Sequence, residues 1–292
     1  DHALRHQPAP PRPCAFDVAE TLHLLGADRE SVVAALLVDA CIDGDLDGGQ
    51  VQERFGESTA RILENLRTLL AFEVAADIGA APGQAESLRR MLLAMVEDVR
   101  AVVVGLAWLL QRLRLLVRTD LPERMHAARE ALDIFAPLAN RLGLGQIKWE
   151  MEDLAFRIIE PAEYKRIAEL LASSRAGREA YIRGFIAELR DALAVEGLEC
   201  EISGRPKHIY SIWRKMQRKR LELDELYDLR AVRVIVDRIG DCYAVLGIVH
   251  NRWQHIPREF DDYIANPKDN GYQSLHTAIV GPEARVVEVQ IR

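Results

Sequence analysis

The stretch VVEVQIR, residues 286–292, alternates from Val287 onward. Val287, Val289 and Ile291 take one side; Glu288, Gln290 and Arg292 take the other. A period of two sends successive side chains to opposite faces of a strand. If the valine face is core, Glu288 stands on the far face beside groups that can orient a ligand. An exposed strand face is the alternative. Further short β-branched runs lie at 198–203, 229–237 and 277–281, and helical spacing at 207–220 and 240–253 alternates with them. The part after Gly197 therefore reads as a mixed α/β domain.

Toward the N-terminus the strand pattern stops. Residues 18–25, 31–40, 54–72 and 87–117 carry apolar residues at helical spacing, with a loop at Pro82-Gly83. Helices are expected over 122–142 and near 149–158, and NRLGLG (140–145) reads as a helix end in which glycine supplies a positive φ. Residues 161–195 are helical again, with boundaries expected at Glu160-Pro161 and at SSRAG (173–177). The expected organisation is α+β: an all-helical domain over 1–160, a helical linker or domain start over 161–196, and the mixed α/β domain over 197–292.

A chain of 292 residues, 49% hydrophobic and 28% charged, can bury a sizeable core and argues against bulk disorder. Cys14, Cys41, Cys200 and Cys242 are scattered, which fits a reducing compartment and not a disulfide scaffold or zinc ribbon. The most apolar run, AVVVGLAWLLQ at 101–111, falls short of the ~20 residues a bilayer core needs. It reads as a fully buried helix. The start at Asp1 reads as a piece of a longer protein without a signal peptide. A net charge of −7 is unlike a duplex-coating protein, so any phosphate ligand needs a local basic patch.

GRPKHIYSIWRKMQRKR, residues 204–220, supplies one: seven Lys/Arg and no acid. On a helical wheel Ile209, Ile212, Trp213 and Met216 share one side, and Ser211, Arg214, Lys215 and Arg218 the other. Arg205 and Lys207 stand at its start, where free backbone amides favour anions. The run reads equally as a polyphosphate cradle or a solvated basic face. Asp228, at the mouth of the 229–237 strand, is suited to hold Mg²⁺ through oxygen, or caps a turn. NPKDNGYQSLH (266–276) reads as a loop in which Tyr272 stacks on a base and Lys268 and His276 meet phosphates, or as a turn with Tyr272 packed on the core.

GRPKHIYSIWRKM, YDLRAVRVIV, DYIANPKDNGYQSLHTAIVG and VEVQIR together are similar, in order and spacing, to the synthetase domain of the long RelA/SpoT proteins, the stringent-response alarmone enzymes. RRMLLAMVEDVRAV, FAPLANRLGLGQIKWEMEDLAFR and EYKRIAELL resemble that family's upstream region. The resemblance implies an HD-like helical domain followed by a mixed-sheet, nucleotidyltransferase-like synthetase domain. It implies transfer of pyrophosphate from ATP to the 3′-OH of GTP or GDP, giving (p)ppGpp. It implies that Arg205 and Arg233 sandwich the adenine, and that Lys207, Ser211, Lys215 and Arg218 bind the ATP phosphates. Asp228 and Glu288 are implied to hold Mg²⁺, with Glu288 activating the hydroxyl. Tyr272 is implied to stack on guanine, with Lys268, Asn270, His276 and Gln290 around the acceptor. A cytoplasmic enzyme is implied, with no membrane partner, whose full-length form meets the ribosome and deacylated tRNA through regions absent here.

In bifunctional members the helical domain is a metal-dependent hydrolase. By resemblance its histidine positions are Cys14 and Val38 here, the Glu-Asp pair is Ile42-Asp43, and a later Asp and Asn are Trp108 and Arg112. Valine and tryptophan cannot replace such ligands, so hydrolase activity is expected to be lost. Glu259-Phe260-Asp261-Asp262 resembles the acidic version of monofunctional RelA, or is a solvated loop. The competing expectations are a non-catalytic nucleotide-binding regulatory fragment and an unrelated nucleotidyltransferase.

Overall fold

A computed structural model describes residues 12–75, 97–173, 175–205, 207–220 and 230–292. The chain forms two compact units, Asp1–Pro161 and Ala162–Arg292.

The first unit is helical. Its described elements are α1 (Ala15–Leu24), α2 (Arg29–Asp43), α3 (Gly48–Phe55), α4 (Glu57–Ala75), α5 (Val99–Leu116), α6 (Glu123–Glu130), a π-helical turn (Ala131–Phe135), α7 (Ala136–Arg141) and α8 (Gly145–Ile159). The apolar 101–111 run is the buried centre of α5, with Val104, Leu106 and Ala107 fully enclosed. Two expected runs are shorter than their periodicity implied. Gly56, at φ +92°, divides 54–72 between α3 and α4. In 87–117 the described helix begins only at Val99, after Asp98 caps it by accepting from the Arg100 amide; residues 87–96 lie outside the described residues. The expected 122–142 helix forms, but with a π turn just before Pro137. Proline lacks the amide its helical position would donate and crowds the preceding turn, so the backbone widens there.

The second unit holds α9 (Pro161–Ser173), α10 (Arg175–Val195), β1 (Glu201–Gly204), α11 (Ile209–Lys219), β2 (Ala231–Ile235), α12 (Ile239–Arg252), β3 (Gln254–Asp262), β4 (Leu275–Val280), a 3₁₀ turn (Pro282–Ala284) and β5 (Val286–Ile291). The sheet order is β1-β2-β5-β4-β3, antiparallel except for the parallel pair β2–β5. Tyr181, Phe185, Leu189 and Leu193 of α10 repeat every four residues. With Val245 and Val249 of α12 they bury Val232, Val234, Val287, Val289 and Ile291, so one face of the sheet is sealed. Burying a side chain such as Val289 contributes roughly 1.5–3 kcal/mol. Strand β3 was not legible as one. Its residues are mostly exposed, it contains Pro257, and a register shift falls between His255 and Phe260. The acidic 259–262 segment, whose alternative reading was a solvated loop, is thus part of an edge strand.

Candidate active site

With the valine face of β5 buried, Glu288 and Gln290 stand on the opposite face, as their alternation predicted. Strand register assembles that face row by row. One row runs Ser203, Arg233, Gln290, His276 and Asp261 across all five strands. In the next, Glu288 lies between Ala231 and Ala278. Arg205, just past β1, donates its amide to the Ala231 carbonyl at 2.8 Å. The small alanines leave the Glu288 carboxylate open to longer side chains.

Four reach it. Lys207 Nζ lies 2.5 Å from Oε2, and Gln290 Nε2 donates to Oε1 at 2.6 Å. Arg205 Nη1 and His276 Nδ1 each lie 3.8 Å from Oε1. The Lys207 and Glu288 side chains are only 13% and 18% exposed, so solvent screens their attraction weakly. The chain order explains the meeting. Strand β1 ends at Gly204, and the next residues carry Arg205 and Lys207 toward the open end of β5.

The residues expected around an acceptor also converge. His276 is the second residue of β4, a correction to its expected place in a loop, because strand pairing already begins at Leu275. Its Nε2 lies 3.0 Å from the Tyr272 hydroxyl. Burial pushes its pKa down to about 4, with Lys268 and Arg205 adding to the fall and Glu288 and Asp261 opposing it. The imidazole is therefore neutral near pH 7. Asn270 Oδ1 accepts from the Tyr272 amide at 3.2 Å, which shapes the loop below the ring. Lys268 Nζ sits 5.4 Å from the Tyr272 ring centre and 4.1 Å from that of Tyr263. Tyr263 was missed by sequence reasoning, where one aromatic of that segment looks like another.

Arg233 is lowered from its ordinary pKa by burial and by the Arg292 and Arg205 charges, a setting that favours an anion or an aromatic face. On α11, Ile212 and Met216 are buried and Ser211 and Arg218 exposed, as the wheel predicted; Lys215 is half-buried. A cleft of about 450 Å³ opens beside Arg205 and Lys207. Ile182, Ile186 and Ile212 wall it, and Arg175, Arg178 and Arg183 of α10 add charge that the sequence reading did not assign.

Asp228 lies outside the described residues. Among the described residues no group of three or more His, Cys, Asp or Glu could hold a metal. Mg²⁺ does not require one: it keeps several waters and binds through one or two carboxylates plus substrate phosphates. Glu288 has the chemistry for that, with Lys207 as its competitor.

In the helical unit, of the two residues that the resemblance sets at histidine positions, Cys14 is exposed and Val38 is buried. Asp43 accepts from Arg12 Nη1 at 2.5 Å. Asp39 has a buried Oδ1 with no hydrogen-bond partner among the described residues, and burial raises its pKa. The Arg112 guanidinium lies 5.8 Å from the Trp108 ring centre. Aliphatic and indole groups offer a metal no electron pair, so Val38 and Trp108 do not fit one. Among the described residues no helix is long and apolar enough to cross a membrane.

Residues 204–292 match the family model described as the region found in RelA/SpoT proteins, and residues 8–145 match that of an HD domain. The GTP pyrophosphokinase of Escherichia coli K12 is 47% identical over 279 residues, 94% of this chain and 38% of that protein. A Synechocystis protein named a probable guanosine-3′,5′-bis(diphosphate) 3′-pyrophosphohydrolase is 42% identical over 276 residues, 94% of this chain and 36% of its own. The chain thus spans under two-fifths of these relatives' length. The crystal structure of small alarmone synthetase 1 from Bacillus subtilis bound to pppGpp matches at 25% identity over 44% of this chain and 74% of its own. Its TM-score of 0.34 is too low to carry weight. With both family regions present in order and such identity over nearly all its residues, the chain belongs to the RelA/SpoT family.

Proposed function

We propose that the chain is a (p)ppGpp synthetase, moving the β,γ-pyrophosphoryl group of ATP to the ribose 3′-OH of GTP or GDP. The observation that carries this reading is the 2.5 Å contact of Glu288 with Lys207, a carboxylate base beside the cationic row that begins at Arg205. The 3′-oxygen attacks the β-phosphorus, the bridge to the α-phosphate breaks, AMP leaves, and Glu288 takes the hydroxyl proton. Arg205 and Arg233 flank the adenine, where planar guanidinium suits stacking. Lys207, Ser211, Lys215 and Arg218 hold the donor phosphates. Tyr272 stacks on guanine, and Lys268, Asn270, His276 and Gln290 surround the acceptor. Glu288 and Asp228 would hold Mg²⁺ together with the phosphates, and the ion would supply positive charge beside the transferring group.

The Lys207–Glu288 contact has a consequence for this chemistry. Lys207 and Glu288 neutralise each other. A triphosphate carries more negative charge than one carboxylate and draws the ammonium over. Glu288 is then free to accept a proton.

The helical unit is, on the same reading, a pseudo-hydrolase, because Val38 and Trp108 stand where ligands would be needed. In the whole protein the ribosome, deacylated tRNA and a cytoplasmic setting belong to this reading as well. Incubation with γ-labelled ATP and GDP tests it: the label is expected in the alarmone. Label released as free pyrophosphate, with AMP joined to the acceptor, would instead establish nucleotidyl transfer.

A further inference from the structure

We infer that Tyr263 is a positioning residue of the acceptor pocket, holding Lys268 by its ring face and bracing the Tyr272–His276 pair by its edge. This rests on the acceptor reading of Tyr272. Tyr263 follows β3 directly, and its amide donates to the Ser274 carbonyl at 3.0 Å. Ser274 is fully buried and its hydroxyl donates to the Ile291 carbonyl at 2.9 Å, so the backbone under Tyr263 is tied to the central sheet. The ring projects from this anchor into the polar face.

Its hydroxyl is hydrogen-bonded to Asp261, and among the described residues Lys268, His276 and Tyr272 lie about its ring. The Lys268 ammonium lies 4.1 Å from the Tyr263 ring centre, closer than the 5.4 Å to Tyr272. The His276 ring meets Tyr263 at 5.2 Å and 90°, an edge-to-face contact, and the Tyr272 ring lies 6.2 Å away at 58°. Lys268 is exposed on the 263–274 connection and carries a long flexible chain. An ammonium on such a stem samples many positions unless something holds it, and the negative face of an aromatic ring does so. Tyr263 thus acts through Lys268, His276 and Tyr272, on the guanosine side of the reaction and not on the ATP side.

The test is steady-state kinetics in the whole protein with Tyr263→Leu, Tyr263→Phe, Lys268→Met, the Tyr263→Leu/Lys268→Met double variant and Tyr272→Leu. Tyr263→Leu is expected to raise the KM for GDP about three- to tenfold, the size of a partly desolvated cation–π contact, with the KM for ATP unchanged. Tyr263→Phe keeps the ring face and should keep the wild-type KM. Lys268→Met should cost less in the Tyr263→Leu background than alone. An unchanged KM for GDP in Tyr263→Leu, or an equal rise for both nucleotides, overturns the inference while a raised KM in Tyr272→Leu leaves the acceptor reading standing. If Tyr272→Leu also leaves the KM for GDP unchanged, the acceptor reading falls and the role of Tyr263 with it. Should Tyr263→Leu not fold, the Phe variant decides: a wild-type KM for GDP there supports the ring face, and a raised one assigns the effect to the hydroxyl's bond to Asp261 and overturns the inference.

Discussion

Replacing Glu288 by glutamine tests the centre of the proposed chemistry at little structural cost. The backbone at Glu288 is held by its amide's 2.9 Å bond to the Arg230 carbonyl and by pairing with β2 and β4, none of which the change touches. The glutamine oxygen can still accept from Lys207, but its amide now faces Gln290 Nε2, which bonds the carboxylate at 2.6 Å in the wild type. One charge-assisted bond becomes a neutral one and one amide must turn, a loss on the order of 1 kcal/mol in stability. The chemical loss is larger. A positioned base contributes roughly 10²–10⁴ in rate, equivalent to about 3–5 kcal/mol at 1.36 kcal/mol per tenfold. Single-turnover transfer from γ-labelled ATP to GDP, at saturating nucleotide, reads that step. Calorimetric binding of a non-hydrolysable ATP analogue reads the cleft separately. The expected result is a rate lowered by at least about a hundredfold with analogue affinity kept within a few-fold. A rate within about tenfold of wild type would refute Glu288 as the base. Lost binding together with lost rate would make it a structural residue instead.

Other outcomes follow from the same geometry. Supplied with (p)ppGpp and Mn²⁺, the protein should release no pyrophosphate, and Val38→His alone should not change this, because Trp108 still lacks a donor atom; metal-dependent release would end the pseudo-hydrolase reading. His250 is pushed below the usual histidine range by burial first and by His255 second, so its neutral form is favoured on folding. Stability from this group is present above the unfolded histidine pKa and lost as pH falls below it. Urea unfolding at pH 7.5 and 5.0 should show a smaller loss in His250→Gln than in wild type; His276 titrates with the same sign in both and cancels. Phe185, 1% exposed and with its ring centre 4.9 Å from that of Trp253, should cost about 3–5 kcal/mol as alanine, read by the same denaturation.

What the sequence disclosed follows from which signals are local. Periodicity is local, and it located α1, α2, α5, α8, α11, α12 and the central strands β2 and β5, because those elements bury a regular face. Alternation in β5 sufficed to turn Glu288 away from the core. Local signals fail where the partner is distant. An edge strand with a proline, charges and little burial has no alternation to display, so β3 became visible only through its pairing with β4. His276 looked like loop for the same reason: Leu275 opens a strand whose partner residue, Ile291, lies sixteen positions away. The arginines of α10 repeat at ordinary helical spacing, and only the end of β1 reaching them makes Arg178 and Arg183 part of a cleft. The family motifs filled part of that gap, since a motif carries long-range contacts as memory of residues alone. They gave Lys207 and Glu288 separate tasks. They gave no reason to expect that the two side chains would be joined at 2.5 Å. That contact is a matter of three-dimensional charge balance: two opposite charges on adjoining elements, shielded from water, pair with each other until a stronger anion arrives.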